Sequence, residues 1–426
     1  MADGRPVGKA GGQVLRLAAK AMLYSLLLLL VAHGVFWSLP HGEFLLDFGS
    51  FVAAGRAAAE GLNPYGVYPL TFRLDFERIG PVETPNLNPP ISVPVFAALS
   101  RLDPVIAFRA WYAMALGLYL LVLVMLVRAY PEYARPLRLG WALSLAGLWH
   151  TLQLGQVYVP LLAAAAAACV ALERGRHVWA GLLIGLLVAV KPNLTIWLLL
   201  LWLVGCWRVS LVGATVAGLV SALPLVAYGP GIYRLWLAAV RGFSGALLPG
   251  NSSLPGLAAR LGVPWLGSVL AVALVLGLAG LTRRRRPPVG TVSALAIVAS
   301  LLVSPITWVG YTILLLPVLF RRAWTVPLRL AAVILAVPFE VILQCFQLSQ
   351  WHFVLFGSFY SLALLLVLGA MVEEGVDGLH RSRCSGRDCP DRIRRLLRGG
   401  LGLVVPVQAV EEGGRQDTRE AGASLC

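Results

Sequence analysis

From Met22 onward the chain is a succession of apolar runs, and its basic residues gather in the short loops between them. The runs are 22–37, 104–128, 139–150, 157–172, 178–190, 194–207, 209–228, 263–281, 290–304, 309–320, 326–345 and 353–372. The basic clusters are Arg128, Arg135 and Arg138; Arg174 and Arg176; Arg283 to Arg286; and Arg321 and Arg322. Lys and Arg collected in short loops beside apolar runs follow the positive-inside rule of polytopic membrane proteins. With the N-terminus inside, twelve spans put every one of these clusters on the cytoplasmic side, whereas fusing 178–207 into one helix sends Arg283 to Arg286 outside. The expected fold is an all-α integral membrane protein of about 12 transmembrane helices, with both termini cytoplasmic.

Composition closes the alternatives. The chain is 58% hydrophobic and 13% charged, while a soluble domain carries about 25% charged residues. There is too little polar surface to cover a globule in water, which excludes a soluble enzyme, a disulfide scaffold and a disordered tail protein. The net charge of +15 sits in the loops between spans, so it argues for a membrane and against a nucleic-acid partner. The six cysteines share no metal-ligand spacing, and no metal is expected. The run 22–37 lacks a small-x-small cleavage site before Pro40 and reads as an uncleaved first span. Residues 1–372 form the polytopic domain. Residues 373–426, rich in Gly and charge, read as a cytoplasmic and mostly disordered tail, in which 392–407 would form at most a basic surface helix.

Segments 139–150, 178–190 and 309–320 are shorter than the roughly 17–25 residues a crossing takes. Short, Pro-interrupted apolar segments point to a buried site, and Lys191-Pro192-Asn193 and Ser304-Pro305 are such interruptions. The chemistry is expected in the outer loops. Residues 38–103 form a long first extracytoplasmic loop holding Glu43, Asp47, Glu60, Asp75, Glu77, Glu83 and Asp103 against Arg56, Arg73, Arg78 and Arg101. Phe48, Phe51, Val52, Gly55 and Ala59 recur at helical spacing, so 48–60 reads as an interfacial helix, N-capped by Asp47 and stopped by Gly61. Between 104 and 372 the only acids are Glu132, Glu173 and Glu340. One embedded acid is thin support for a proton-coupled transporter.

The polar islets follow an order: Asp47-Phe48, Ala53-Ala54-Gly55-Arg56, Glu60-Gly61-Leu62-Asn63-Pro64-Tyr65, Asn88-Pro89-Pro90, Trp111, then Gly155-Gln156-Val157-Tyr158. Next come Ala180-Gly181-Leu182-Leu183-Ile184-Gly185, Lys191-Pro192-Asn193, Gly250-Asn251-Ser252-Ser253-Leu254 and Ser304-Pro305-Ile306-Thr307-Trp308. In order and spacing, over about residues 44–320, the chain resembles glycosyltransferase family 87, the polyprenol-phosphate-dependent mannosyltransferases of the GT-C type. The resemblance implies a GT-C fold whose long first outer loop carries a catalytic acid, a polyprenyl-phosphate sugar donor, and direct inverting transfer without a nucleotide. Independently, the chain has no phosphate-cradling Gly-rich loop, and no cofactor is expected. The pattern departs from the family after Ser-Pro-x-x-Trp, where relatives often carry His and this chain reads Trp308-Val309-Gly310-Tyr311.

Asp47 is the candidate catalytic base, because sugar transfer needs a group to accept the proton of the attacking hydroxyl. The residues alone leave this even with a capping role, and the family pattern favours the base. Lys191 is the candidate clamp for the donor phosphate, with Arg260 as a second cation; Arg234 and Arg241 are weaker candidates. Gln156, Asn193 and Asn251 are candidates for hydrogen bonds to sugar hydroxyls, Trp308 for stacking on a sugar ring, and Tyr311 for a hydrogen bond in place of the His. Asn251-Ser252-Ser253 also fits an N-glycosylation acceptor. Glu340, with Gln344 and Gln347 at one-turn spacings, would line a polar cavity or bond between helices. His150 and His352 have no ligand-type neighbours in sequence and suggest no metal site.

The expected activity is transfer of a mannose-type sugar from a polyprenyl-phosphate donor to a lipid-linked or cell-envelope glycan acceptor, at the extracytoplasmic face of the cell membrane. A polyprenyl-phosphate-arabinose donor and a non-enzymatic lipid or glycolipid transporter are the alternatives. The expected partners are the donor, the glycan acceptor and membrane lipid.

Overall fold

The computed structural model describes residues 7–39, 45–76, 79–243, 245–346 and 348–384. Five helices are long and apolar enough to cross a membrane: α1 (Val7–Ser38, with its apolar part from Arg16), and those spanning Pro104–Ala129, Trp207–Tyr228, Pro264–Arg285 and Phe359–Val376. A sixth span is possible if the pair Val326–Ala336 and Phe339–Phe346, bent by 80°, is counted as one. The other apolar runs fold as helices too short to cross alone, so helix length supports five or six spans where the charge pattern suggests twelve. Two of the short runs are themselves broken: 139–150 into Pro136–Leu143 and Ala146–Leu154, and 309–320 into a 3-10 turn and Leu316–Phe320.

After α1 the chain enters α2 (Leu46–Ala59), a hairpin of β1 (Phe72–Phe76) and β2 (Gly80–Thr84), and α3 (Val93–Leu99). The helix foreseen at 48–60 is present, and its apolar face is covered by protein. Phe48 to Gly55 and Ala57 are all buried, packed against α3 and the bundle. The backbones of α2 and α3 come so close that a Cβ on Gly55 would fall 2.3 Å from the Phe96 carbonyl oxygen. Asp47 does not cap this helix: Leu45 holds the N-cap position, there is no side-chain cap bond, and Asp47 sits inside the first turn. Gly61 does end it, at φ +72°. The hairpin pairs Phe72 with Thr84 and Phe76 with Gly80, and it is tied to α2 by the Phe72 amide donating to Ser50 Oγ at 2.9 Å.

The bundle continues through α4 (Pro104–Ala129), α5 (Pro136–Leu143), α6 (Ala146–Leu154), α7 (Tyr158–Glu173), α8 (His177–Val190), α9 (Thr195–Val204) and α10 (Trp207–Tyr228). Gly181 and Gly185 give α8 a face with no side chains. Added Cβ atoms there would stand 2.8 Å from Val209 O and 2.6 Å from Gly213 O, so α8 and α10 touch backbone to backbone. In lipid, where apolar side chains gain little by leaving the solvent, this close packing is what holds two helices together. Next are α11 (Gly231–Gly242), α12 (Leu254–Arg260), α13 (Pro264–Arg285), α14 (Val289–Val303) and α15 (Leu316–Phe320). The last are α16 (Val326–Ala336), α17 (Phe339–Phe346), α18 (Gln350–Gly357) and α19 (Phe359–Cys384). Pro338 causes the bend between α16 and α17, because it lacks an N–H and disfavours helix at Val337.

Several of the basic loops converge at one end. Arg138 donates to Phe320 O at 2.8 Å, Arg321 pairs with Glu173 at 2.5 Å, and Arg322 pairs with Glu374 at 2.7 Å. Glu374 lies in α19, which runs on to Cys384, past the point where the sequence suggests that the tail begins. Residues 385–426, with the surface helix foreseen at 392–407, lie outside the described residues.

Candidate active site

A cavity of about 580 Å³ opens among α2, the hairpin, α6, the α8–α9 break, α11, the loop before α12, the loop after α14, and α17. Its walls are mostly apolar, with Leu87, Trp236, Val240, Phe243, Leu248 and Leu343 among them. Asp47, Gln156, Lys191, Asn193, Trp308 and Tyr311 all line it, although they come from four separate stretches of chain.

Local sequence explains how each arrives. Leu46 stands at φ +46°, a region costly for a side chain of its kind, so a strained turn presents Asp47 to the cavity. Thr84 ends the hairpin beside it: its hydroxyl lies 3.2 Å from Asp47 Oδ1 and 3.1 Å from Phe72 O, one proton shared between two acceptors. Gly155 ends α6 in the left-handed conformation at φ +65°, where a Cβ would also strike Phe48. That turn swings Gln156 off the helix, and its Nε2 donates to Asp47 Oδ2 at 2.5 Å. Lys191 is delivered by Pro192, which bars the residue before it from helix and ends α8.

The Lys191 ammonium donates to Asn88 Oδ1 at 3.2 Å and makes a long 3.5 Å contact to the Tyr311 hydroxyl. It also lies 4.9 Å from the centroids of the Tyr158 and Tyr311 rings, which pack against each other at 3.9 Å with their planes tilted by 35°. Such cation–π contacts hold a cation without neutralising it. Among the described residues neither Asp47 nor Lys191 has an ion-pair partner within 4.0 Å. Burial raises the Asp47 carboxyl to about 6, against the lowering effect of Gln156, Thr84 and the Lys191 charge. Burial likewise lowers the Lys191 ammonium to about 7, with Asp47 opposing. A carboxyl raised to about 6 and an ammonium lowered to about 7 thus share one cleft.

Asn193 donates to Ser300 O at 2.8 Å, which leaves its carbonyl oxygen for the cavity. The structure does not bring Arg260 or Asn251 there. Arg260 is only 3% exposed, and its guanidinium donates to Ser358 Oγ and to the carbonyls of Ala246, Leu248 and Asn251. Asn251 is fully buried; its Oδ1 accepts from the Thr307 amide and from Ser253, and its Nδ2 donates to Ala246 O and Pro305 O. These two residues knot the islet 250–254 to the islet 304–308, which shapes the cavity wall from behind. Burial also closes Asn251 to glycosylation. Arg234 and Arg241 are exposed on α11.

Residues beyond those singled out from sequence complete the site: Asn88, which holds the ammonium; Thr84, which holds the carboxylate; and Tyr158, which forms half of the aromatic seat. Asn88 stands in the Asn-Pro-Pro islet and Tyr158 follows Gly155-Gln156, so both motifs were visible but their roles needed contacts. Glu340 lines the cavity as well, while Gln344 is exposed and Gln347 lies outside the described residues. Among the described residues no three His, Cys, Asp or Glu side chains come together as a metal site would need.

No curated protein and no solved structure is significantly similar to the chain. The family model described as glycosyltransferase family 87 matches residues 86–305, just over half of the chain. The match includes Asn88, Gln156, Lys191, Asn193 and the knot around Asn251, while Asp47 and Tyr311 lie outside it. By that match the chain is a glycosyltransferase and belongs to glycosyltransferase family 87.

Proposed function

We propose that the protein transfers a mannose-type sugar from a polyprenyl-phosphate donor to a lipid-linked or cell-envelope glycan acceptor, with inversion, at the extracytoplasmic face of the membrane. The observation that carries this reading is the pairing, in one apolar-walled cavity, of a carboxylate and an ammonium that are both free of ion partners. Asp47 accepts the proton of the acceptor hydroxyl as its oxygen bonds to the anomeric carbon. The bond from that carbon to the phosphate oxygen breaks, and the electron pair leaves with the polyprenyl phosphate. Lys191, held by Asn88 and the two tyrosine rings, stabilises the charge that grows on the leaving phosphate. Tyr311 stands where relatives often carry His, and here it helps to seat Lys191. Gln156 fixes the carboxylate, Asn193 and Trp308 contact sugar, and the apolar wall takes the first isoprene units.

The test is sugar transfer by the full chain in nanodiscs, with polyprenyl-phosphate mannose and a crude envelope lipid extract. Transfer by the wild type that is lost in a folded Asp47→Asn variant is the expected result. Equal transfer by both would remove the base role, and no transfer with this donor would overturn the donor assignment.

A further inference from the structure

A second polar wall of the cavity takes no part in the chemistry above. His150, Gln153 and Glu340 line it, from α6 and α17, and the same three side chains also line a small neighbouring pocket behind. Their bonding state sets them apart. His150 is 9% exposed, and its Nδ1 has no hydrogen-bond partner. Its ring meets Phe339 edge-on at 4.7 Å, which fixes its plane without satisfying that nitrogen. Glu340 and Gln153 likewise make no side-chain hydrogen bond or ion pair among the described residues. A buried polar atom without a partner costs free energy and calls for an explanation. Of the three, only the His150 Nδ1 is such an atom; Gln153 and Glu340 are half-buried, line the cavity and spend no bonding capacity on the protein, which leaves that capacity for a ligand there.

The chemistry of the set identifies the class of ligand. Glu340, when ionised, only accepts; Gln153 donates and accepts; and a histidine nitrogen does one or the other according to its tautomer. Such a set matches the hydroxyls of a neutral sugar, each of which is both donor and acceptor. It disfavours an anion, because a carboxylate repels phosphate or uronate and Lys191 is not part of this wall. The spacing gives the place. His150 and Gln153 are one turn apart on α6, and both precede, in the same stretch of chain, the turn that carries Gln156, the partner of Asp47. The geometry points to a subsite in which Glu340, Gln153 and His150 hold a neutral sugar unit of the acceptor glycan, set back from the unit whose hydroxyl faces Asp47. This rests on the transferase reading for the word acceptor, but the sugar binding itself does not need transfer.

The test uses the full chain in nanodiscs, with soluble methyl α-mannobioside and methyl glucuronide as probes in ligand-observed NMR titrations. The wild type is expected to bind the neutral probe and to bind the glucuronide about tenfold more weakly. Glu340→Ala and Gln153→Ala raise the Kd for the mannobioside about tenfold, the loss of one hydrogen bond to a charged or polar partner. Glu340→Gln, which keeps shape and hydrogen bonding, leaves that Kd within about threefold and admits the glucuronide. No mannobioside binding by the wild type, or equal binding by wild type and both alanine variants of unchanged thermal stability, overturns the subsite. In turnover, Glu340→Ala raises the acceptor KM with little effect on kcat or donor KM. Probe binding without any transfer overturns the transferase mechanism and leaves the subsite standing.

Discussion

Arg260 is a buried cation and Lys191 a half-buried one at the edge of the cavity, and the fold uses them in different ways. The Arg260 guanidinium is surrounded by four oxygens of its own chain, three of them carbonyls of residues 246–251. The Lys191 ammonium has one amide oxygen, a distant hydroxyl and two aromatic faces. A planar fork with five donors suits the first task, since it can close a loop by bonding several carbonyls at once. A compact point charge on a long stem suits the second, since it keeps open directions toward the cavity. The same contrast divides Asn251, whose amide is wholly spent on its own chain, from Asn193, whose carbonyl oxygen is left over. Charge alone thus does not separate the two cations; unspent bonding capacity facing a cavity does.

Substitutions can break or sharpen this contrast. Asp47→Asn keeps the shape of the site and removes the base, and a loss of roughly 10³-fold in kcat is expected, within the range for general-base catalysis. The measurement is the transfer rate beside an unchanged unfolding temperature. Lys191→Met is expected to cost roughly 10²-fold in kcat/KM, in line with the loss of one preorganised electrostatic contact. It also changes the pH profile. For the wild type, kcat/KM rises as pH passes about 6, where Asp47 becomes the free base, and falls as pH passes about 7, where Lys191 loses its proton. Lys191→Met removes the alkaline limb and keeps the acid one. A variant that kept both limbs would move the cation role elsewhere.

Arg260→Met is expected to act on the other side of the comparison. It strands buried carbonyls and lowers stability by about 2 kcal/mol, read as a lower unfolding temperature, while the folded fraction keeps its donor KM. A large rise in donor KM with unchanged stability would return Arg260 to the phosphate site. The smallest effect belongs to Thr84→Val. Removing a hydrogen bond to the ionised carboxyl raises its pKa further, so the acid limb moves to higher pH with little change in the plateau rate.

Several features of the fold were legible because they depend on neighbours in sequence. The apolar runs fall on helices, and Pro192 breaks the chain where the ring forbids helix, while the run 326–345 reads as one span and misses the bend at Pro338. Others were not. The pattern Phe48, Phe51, Val52 announces α2, but the residues of its other face are Gly49, Ser50, Ala53, Ala54 and Ala57, whose small side chains give no sign of being buried. Phe72-Arg73-Leu74-Asp75-Phe76 alternates with the period of a strand, a signal for the hairpin that its charges mask. Asp47 reads as a cap because acids are common at helix starts, but whether a carboxylate bonds its own helix or faces a cavity depends on φ and ψ at Leu45 and Leu46.

The sequence by itself determined a helical membrane protein, its basic loops and the order of polar islets that marks a family-87 glycosyltransferase. Hydrophobic periodicity, charge position and proline geometry are properties of adjacent residues, and they can be read along the chain. Only the tertiary structure decided which islets meet. Asp47 reaches Gln156 across 109 positions and Lys191 reaches Asn88 across 103, while Asn251 closes on Thr307 instead of a sugar. Which polar atoms are spent on the protein and which remain for a ligand follows from packing between distant segments, and no local pattern encodes it.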